Sequence, residues 1–373
     1  MDLTHYRTLG RSGLLVSPMA LGTMTFGADR WGSGEKGSRA VFDAYIEAGG
    51  NFVDTADIYS AGVSEEMVGR FVADTGRRER IVVATKAGFA RGSGNPNGGG
   101  NGAKSIRAGL EGSLKRLRTD YIDLYWLHVW DRLTPAEEVL RTLTDAVRAG
   151  TILHYGFSNA PAWYVAKIAT LARAHGLPAP VGLQYQYSLL DRGAELEILP
   201  AGDEFGLGMV PWSPLGGGML TGKYGREMLA EAGRSPALPD RGAETGDRAA
   251  ADDSRLKGDN PFGGMLFTER NFAVVDALRG VADDAGRSMA EVALSWTVGR
   301  PGVSSVLIGA SRAEQVAQNI ASLDLRLTPE QRKRLDDVSE QPLPNPYFIF
   351  QLPSQFRFGV ASTEGWKQGS AAA

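Results

Sequence analysis

From about residue 17 to residue 325 the chain alternates short, nearly unbroken apolar runs with longer amphipathic stretches. The runs at 19–22, 51–54, 81–85, 122–127, 153–156, 181–184, 208–212 and 303–308 have strand length and are bounded by turn residues. Between them lie helical patterns, among them 104–118, 135–149 and 161–175. Thr134 before Pro135 predicts an N-cap with proline at the first helical position, and Glu137 and Glu138 suit the positive end of that helix. Strands apolar on both faces, each followed by a helix, belong to a parallel sheet covered on both sides. About eight such units in one direction predict an α/β fold, a (β/α)8 TIM-type barrel.

Two pieces fall outside the alternation. Residues 6–8 and 14–16 flank the turn sequence LGRSG, which predicts a small β-hairpin plugging the bottom of the barrel. Residues 224–270, after the seventh strand, are rich in Gly, Asp, Arg and Pro. A loop of that length on the C-terminal face of a barrel reads as a lid, or else as a merely mobile connection. No internal repeat or interdomain linker is visible, so residues 1–373 read as one domain with a core at about 17–340 and a C-terminal loop and tail at 341–373.

Composition narrows the classes. Of 373 residues 43% are hydrophobic, enough for a large core, and the formal net charge of -3 comes with no basic stripe for nucleic acid. The absence of cysteine excludes disulfides and thiolate chemistry. The N-terminal MDLTHYRTLGRSG lacks the pattern of a secretory signal, and no apolar stretch approaches the length of a bilayer span. A cytoplasmic protein is expected, with no membrane and no nucleic acid as partner.

In a barrel of this kind the strand exits carry the site. Here they present Asp54 and Tyr59, then Lys86, His128, Ser158 with Asn159, Gln184, Trp212 with Ser213, and Gly309 with Ser311 and Arg312. Each has a bland alternative: Asp54 as an N-cap, Tyr59 at a core edge, Lys86 in a surface loop, His128 as a satisfied core histidine. Taken together they form a proton-delivery system for a carbonyl that accepts hydride. Tyrosine is a weak acid, and a lysine ammonium beside it favours its ionised form. A buried lysine needs a counter-charge, which Asp54 supplies. His128 donates a hydrogen bond to the substrate oxygen. The remaining histidines, His5, His154 and His175, read as structural.

At these residues the sequence closely resembles the aldo-keto reductase superfamily. The matching stretches are GGNFVDTADIYSAGVSEEMVG, IVVATKAGF, SLKRLRTDYIDLYWLHVWD, HYGFSNAPAW, GLQYQYSLL, VPWSPLGGGMLTGKY and LIGASRAEQVAQNI, in family order over residues 6 to about 340. The resemblance implies a catalytic tetrad of Asp54, Tyr59, Lys86 and His128, with Tyr59 as the acid. It places the cofactor, NADP(H), along Gly22, Thr23 and Met24 and puts the nicotinamide carboxamide near Ser158, Asn159 and Gln184. Trp212 falls where the family stacks an aromatic on the nicotinamide ring. Ser213, Pro214, Leu215, Gly217 and Lys223 fall along the pyrophosphate, and Gly309, Ser311, Arg312, Gln315 and Asn319 near the adenosine 2′-phosphate. A guanidinium at Arg312 is a charge-assisted, bidentate partner for a phosphate, which favours NADP(H) over NAD(H). Details such as LHVWDRLTPAEE and SNAPAWYVAK look most like the branch of potassium-channel β-subunits and deoxysugar reductases.

Other motifs lead elsewhere and fail. Gly217 to Lys223 has P-loop spacing, but Tyr224 stands where a hydroxyl for magnesium is required. No Gly-x-Gly-x-x-Gly opens a helix after a strand, and no metal-ligand spacing is found, so no metal is expected. A Schiff-base aldolase using Lys86 would need a neutral amine, which Asp54 opposes. A nicotinamide-sensing regulatory subunit with little turnover is the rival from another class. The substrate class stays at "aldehyde or ketone", with a sugar or polyketide-type ketoreductase as one form; a homo-oligomer is compatible with the sequence. Residues 343–358, rich in proline and aromatics, match nothing mapped, although the family builds part of its substrate pocket from such a C-terminal loop.

Overall fold

The structure is a computed structural model that describes residues 1–28, 32–92, 94–231, 256 and 263–362. Strands β1 (Arg7–Thr8) and β2 (Leu15–Val16) pair antiparallel. They are followed by β3 (Met19–Gly22), β4 (Phe52–Asp54), β5 (Val82–Ala87), β6 (Ile122–Leu127), β7 (Ile152–Ser158), β8 (Gly182–Gln184), β9 (Gly208–Met209) and β10 (Val306–Gly309). These last form one eight-stranded sheet, parallel throughout, in the order β10-β3-β4-β5-β6-β7-β8-β9. The ends of that order also meet: the Met209 N–H donates to the Gly302 carbonyl, the Ser304 N–H to Met209 and the Leu307 N–H to Pro211, each at 2.9 Å. The sheet therefore closes on itself as a (β/α)8 barrel with helices outside.

The inward–outward alternation of each strand sorts the core. Ala20, Phe52, Val82, Ala84, Leu124, Trp126, Val210 and Leu307 fill the barrel interior. Their neighbours Leu21, Val53, Val83, Tyr125, Leu183, Met209 and Ile308 face outward and join the shell beneath the helices. Leu9 and Val16 of the hairpin belong to the interior cluster and close the barrel's N-terminal end. Gly10, at φ +59, lets the hairpin lie against the barrel rim, because a Cβ there would come within 2.4 Å of the Gly206 carbonyl.

Two local expectations are corrected. The helix expected to start at Pro135 runs Ala136–Arg148, and Pro135 itself is the cap residue, with ψ 139. Thr134 does not cap it: its hydroxyl donates to Asp131 at 2.6 Å. Strand β9 stops short of the expected 208–212, since Pro211 has no N–H to give the ladder, although its carbonyl still takes the bond from Leu307.

The expected lid at 224–270 lies largely outside the described residues. Of the remainder, Arg226–Glu231 forms a 3-10 turn, Gly263–Leu266 a short helix, and buried Leu256 donates its N–H to the Tyr224 hydroxyl at 3.0 Å. Residues 1–339 form one compact unit and those from 340 onward a second. In the second unit two short helices, Tyr347–Phe350 and Ser354–Phe358, expose Phe348, Phe350, Phe356 and Phe358. Among the described residues no helix is long and apolar enough to cross a membrane.

Candidate active site

Lys86, on the inward face of β5, is the hub of the site. Its ammonium is fully buried and donates to the Asp54 carboxylate, to the Thr55 carbonyl at 2.8 Å and to the Tyr59 hydroxyl at 3.2 Å. Burial works against the charge, but the Asp54 carboxylate beside it prevails, and the Lys86 pKa is held above the ordinary lysine value. Lys86 is therefore an ammonium, and the neutral amine that Schiff-base chemistry requires is disfavoured. The second carboxylate oxygen of Asp54 accepts from Trp126 Nε1 at 3.0 Å and from Gln184 Nε2 at 2.9 Å. The buried carboxylate is thus partnered by side chains of β5, β6 and β8.

Tyr59 reaches this hub from the segment after β4. Directly behind it Ser60 (φ 48), Ala61 (φ 54) and Gly62 (φ 98) occupy left-handed backbone, and the helix Val63–Asp74 begins. Two non-glycine residues in that region carry strain of about 1–3 kcal/mol each, held here by surrounding packing and by the Ser60 hydroxyl on the Phe26 carbonyl at 3.0 Å. The turn sets the tyrosine ring half-buried against the site.

His128 follows β6 and packs edge-on against Tyr59, with ring centroids 5.9 Å apart, and against Phe89 at 4.8 Å. Burial, with the Lys86 charge adding to it, pushes the imidazole well below its ordinary pKa. It is neutral near pH 7. Its Nδ1 is buried without a hydrogen-bond partner.

The other expected residues divide. Asn159, at φ 52 after β7, donates to the His128 carbonyl at 3.0 Å and to the Ser158 hydroxyl at 2.8 Å, and accepts from Trp212 Nε1 at 3.3 Å. Asn159, Ser158 and Trp212 are thus one connected group, joined to His128. Gln184 sits among them but spends its amide N–H on Asp54. Gly22 pairs in register with Gly309 and with Asp54. Met24 lies in the same strand exit, whereas Thr23 is fully buried and gives its hydroxyl to the Asp54 carbonyl at 3.1 Å. Ser213 (φ 53), Pro214 and Leu215 lead into a run of Gly216, Gly217 and Gly218 at φ 56, 64 and 95. Lys223 packs over the Tyr224 ring at 5.2 Å. Across the closing seam, Gln315 Oε1 gathers the Ser311 N–H at 2.8 Å, the Ser311 hydroxyl at 3.2 Å and the Arg312 N–H at 3.3 Å, and Arg312 is exposed at the N-cap of the helix Ala313–Ala321. Asn319 touches the Gly309 carbonyl only at 3.5 Å.

These residues fit an extended dinucleotide. Trp212 offers a half-buried indole plate hydrogen-bonded to Asn159, which in turn donates to the His128 carbonyl. The triple glycine presents backbone unobstructed by Cβ atoms beside it, and at Gly309 an added Cβ would meet nothing within 4 Å. The helix N-terminus with Ser311 and Arg312 suits an anion.

Trp126, Thr55 and Phe89 were not singled out from sequence. Trp126 shares the inward parity of Leu124 and His128 within WLH, and that alternation was the available signal. Nothing in the sequence marks a backbone carbonyl such as that of Thr55. Among the described residues no group of three or more His, Cys, Asp or Glu could hold a metal ion.

The model of the Aldo/keto reductase family matches residues 18–340. The chain is 35% identical to a probable voltage-gated potassium channel subunit beta of Oryza sativa subsp. japonica, covering 90% of this chain and 96% of that one. It is 33% identical to norsolorinic acid reductase stcV of Emericella nidulans, over 98% of this chain and 90% of the relative. It is 32% identical to aryl-alcohol dehydrogenase [NADP(+)] of Phanerodontia chrysosporium, over 93% and 88% respectively. With its barrel, its buried lysine hub and a family match spanning nearly the whole barrel, the chain belongs to the aldo/keto reductase family and is an oxidoreductase.

Proposed function

We propose that this protein reduces an aldehyde or ketone to the alcohol with NADPH, Tyr59 delivering the proton. One observation carries the reading. A lysine ammonium has three N–H donors, and those of Lys86 go to Asp54, Thr55 and Tyr59. The Tyr59 oxygen is therefore an acceptor toward Lys86, which leaves its own O–H to point at a substrate oxygen. As negative charge grows on that oxygen the hydroxyl proton moves to it, and the resulting phenolate is held by the ammonium. His128, kept neutral, serves as a hydrogen-bond donor that orients the carbonyl rather than as the acid. Asp54 balances Lys86 before and after the transfer. NADPH, when bound, supplies the hydride to the carbonyl carbon, so hydride and tyrosyl proton together make the alcohol.

Support for the carbonyl class comes from relatives named as a norsolorinic acid reductase and an aryl-alcohol dehydrogenase, and for the phosphorylated cofactor from the latter's name and from Arg312 with Ser311 at a helix start. The test is loss of reduced-nicotinamide absorbance with NADPH and NADH across aromatic aldehydes, keto sugars and bulky ketones, on wild type and Tyr59→Phe. NADPH-preferring turnover, lost by about a hundredfold or more in Tyr59→Phe while NADPH still binds, supports the reading. Tight NADPH binding with no turnover on any carbonyl would favour a sensing role, the reading suggested by the relative named as a potassium channel subunit.

A further inference from the structure

Between Asp54 and Tyr59 stands a second carboxylate that the chemistry above does not use. Asp57 gives its backbone N–H to the Lys86 carbonyl at 3.0 Å, and its side chain is 0% exposed. One oxygen accepts from Arg91 Nη1 at 3.3 Å, while Oδ1 is buried without a partner. Arg91 belongs to the glycine-rich loop after β5. Its backbone N–H donates to Gly98 at 3.0 Å, and its Nη2 reaches the Ser105 carbonyl at 3.1 Å and hydroxyl at 3.2 Å. The other charges facing Asp57 are already committed: Glu65 of the helix Val63–Asp74 pairs with Arg116 of the helix Ala103–Leu117 at 2.6 Å, and takes the Thr85 hydroxyl at 2.5 Å. The buried Tyr125 ring of β6 completes the surroundings.

A singly partnered buried carboxylate is a poor way to stabilise a core, because an apolar side chain of similar size fills the space at lower cost in desolvation. What the Asp57–Arg91 pair does provide is a tie between two segments that each border the site. We propose that Asp57 is a positioning residue: through Arg91 it locks the glycine-rich loop to the segment carrying Tyr59, and so holds the tyrosine hydroxyl against Lys86. The catalytic consequence rests on the role proposed for Tyr59; the mechanical coupling does not. Burial, with the Glu65 charge adding to it, raises the Asp57 pKa to about 6. Below that pH the charge-assisted bond to Arg91 becomes an ordinary one, and the tie weakens.

The test compares wild type with Asp57→Asn, Arg91→Met and the charge-retaining Arg91→Lys. Hydrogen exchange is followed over 55–62 and 88–92, with NADPH binding and kcat measured from about pH 5 to 8. Asp57→Asn and Arg91→Met should each speed exchange in both segments, and lower kcat about tenfold with the NADPH Kd within about twofold of wild type. Arg91→Lys should recover part of both. The wild-type kcat should fall as pH drops through about 6, and that limb should vanish in Asp57→Asn. Faster exchange confined to the mutated segment overturns the coupling, as does an Asp57→Asn enzyme with wild-type kcat and an unmoved pH profile. If one variant fails to fold, the exchange pattern in Arg91→Lys decides. A wild type without turnover would strike the reductase reading, and exchange would still decide the coupling.

Discussion

The Trp126 indole donates its Nε1–H to Oδ2 of Asp54 across 3.0 Å, joining two buried side chains on strands separated by β5. With Gln184 on the same oxygen, the bond fixes the plane of the carboxylate and hence where Lys86 points. Trp126→Phe keeps most of the ring volume and removes the donor. A hydrogen bond to a charged group contributes about 1.5–3 kcal/mol, so unfolding free energy in denaturant should fall by about 2 kcal/mol. We expect kcat to fall about tenfold with little change in KM. Unaltered stability and rate would show that Gln184 alone orients Asp54.

Replacing Lys86 by Met leaves Asp54 as a buried charge without its counter-ion. Breaking such a pair costs about 3–5 kcal/mol, and turnover should become undetectable. Adding Asp54→Asn should restore most of the stability and none of the activity. Denaturant melts of both variants measure the first effect. A double variant as unstable as Lys86→Met would mean that packing of the lysine stem, rather than charge balance, accounts for the loss.

His128 yields a pH prediction with a definite sign. Its folded pKa is depressed, so the unfolded chain takes up a proton that the fold refuses. The neutral imidazole's contribution is fully present above the ordinary histidine value of 6.5 and is lost as pH falls below it. Melting temperatures of wild type and His128→Gln should converge between about pH 8 and about pH 5. Parallel curves would show that the imidazole is not desolvated.

Arg312 is predicted to read the 2′-phosphate. Arg312→Ala should weaken NADPH binding by about ten- to a hundredfold and NADH binding by less than about twofold, measured by fluorescence titration. Equal losses for both cofactors would reduce Arg312 to a helix-start residue.

Much of the fold was legible because short apolar runs alternate with longer amphipathic stretches. The structure then sorts each run by a period of two, with Phe52 in, Val53 out, Asp54 in, and Ala84 in, Thr85 out, Lys86 in. Asp54, Lys86 and His128 were legible as a group because each stands where an apolar run ends, at a strand exit. Thr134 was misplaced because local capping chemistry is blind to a carboxylate three residues earlier that captures the same hydroxyl. Trp126 was overlooked because an indole within an apolar run reads as core until its N–H is asked for a partner. The Asp57–Arg91 tie joins side chains 34 residues apart with no periodic signal between them, so only tertiary packing reveals it.

The alternation of strand side chains also governs how this protein can diverge. A residue inserted into a loop, even the glycine-rich one after β5, leaves the ring of inward groups in phase. A single residue inserted within β4, β5 or β6 would rotate everything downstream in that strand by half a period, turning an aspartate, a lysine or a histidine out toward the helices. Length variation among descendants of this chain should therefore collect in the connections, and the spacing from Phe52 to Asp54, from Val82 to Lys86 and from Leu124 to His128 should be inherited as fixed intervals.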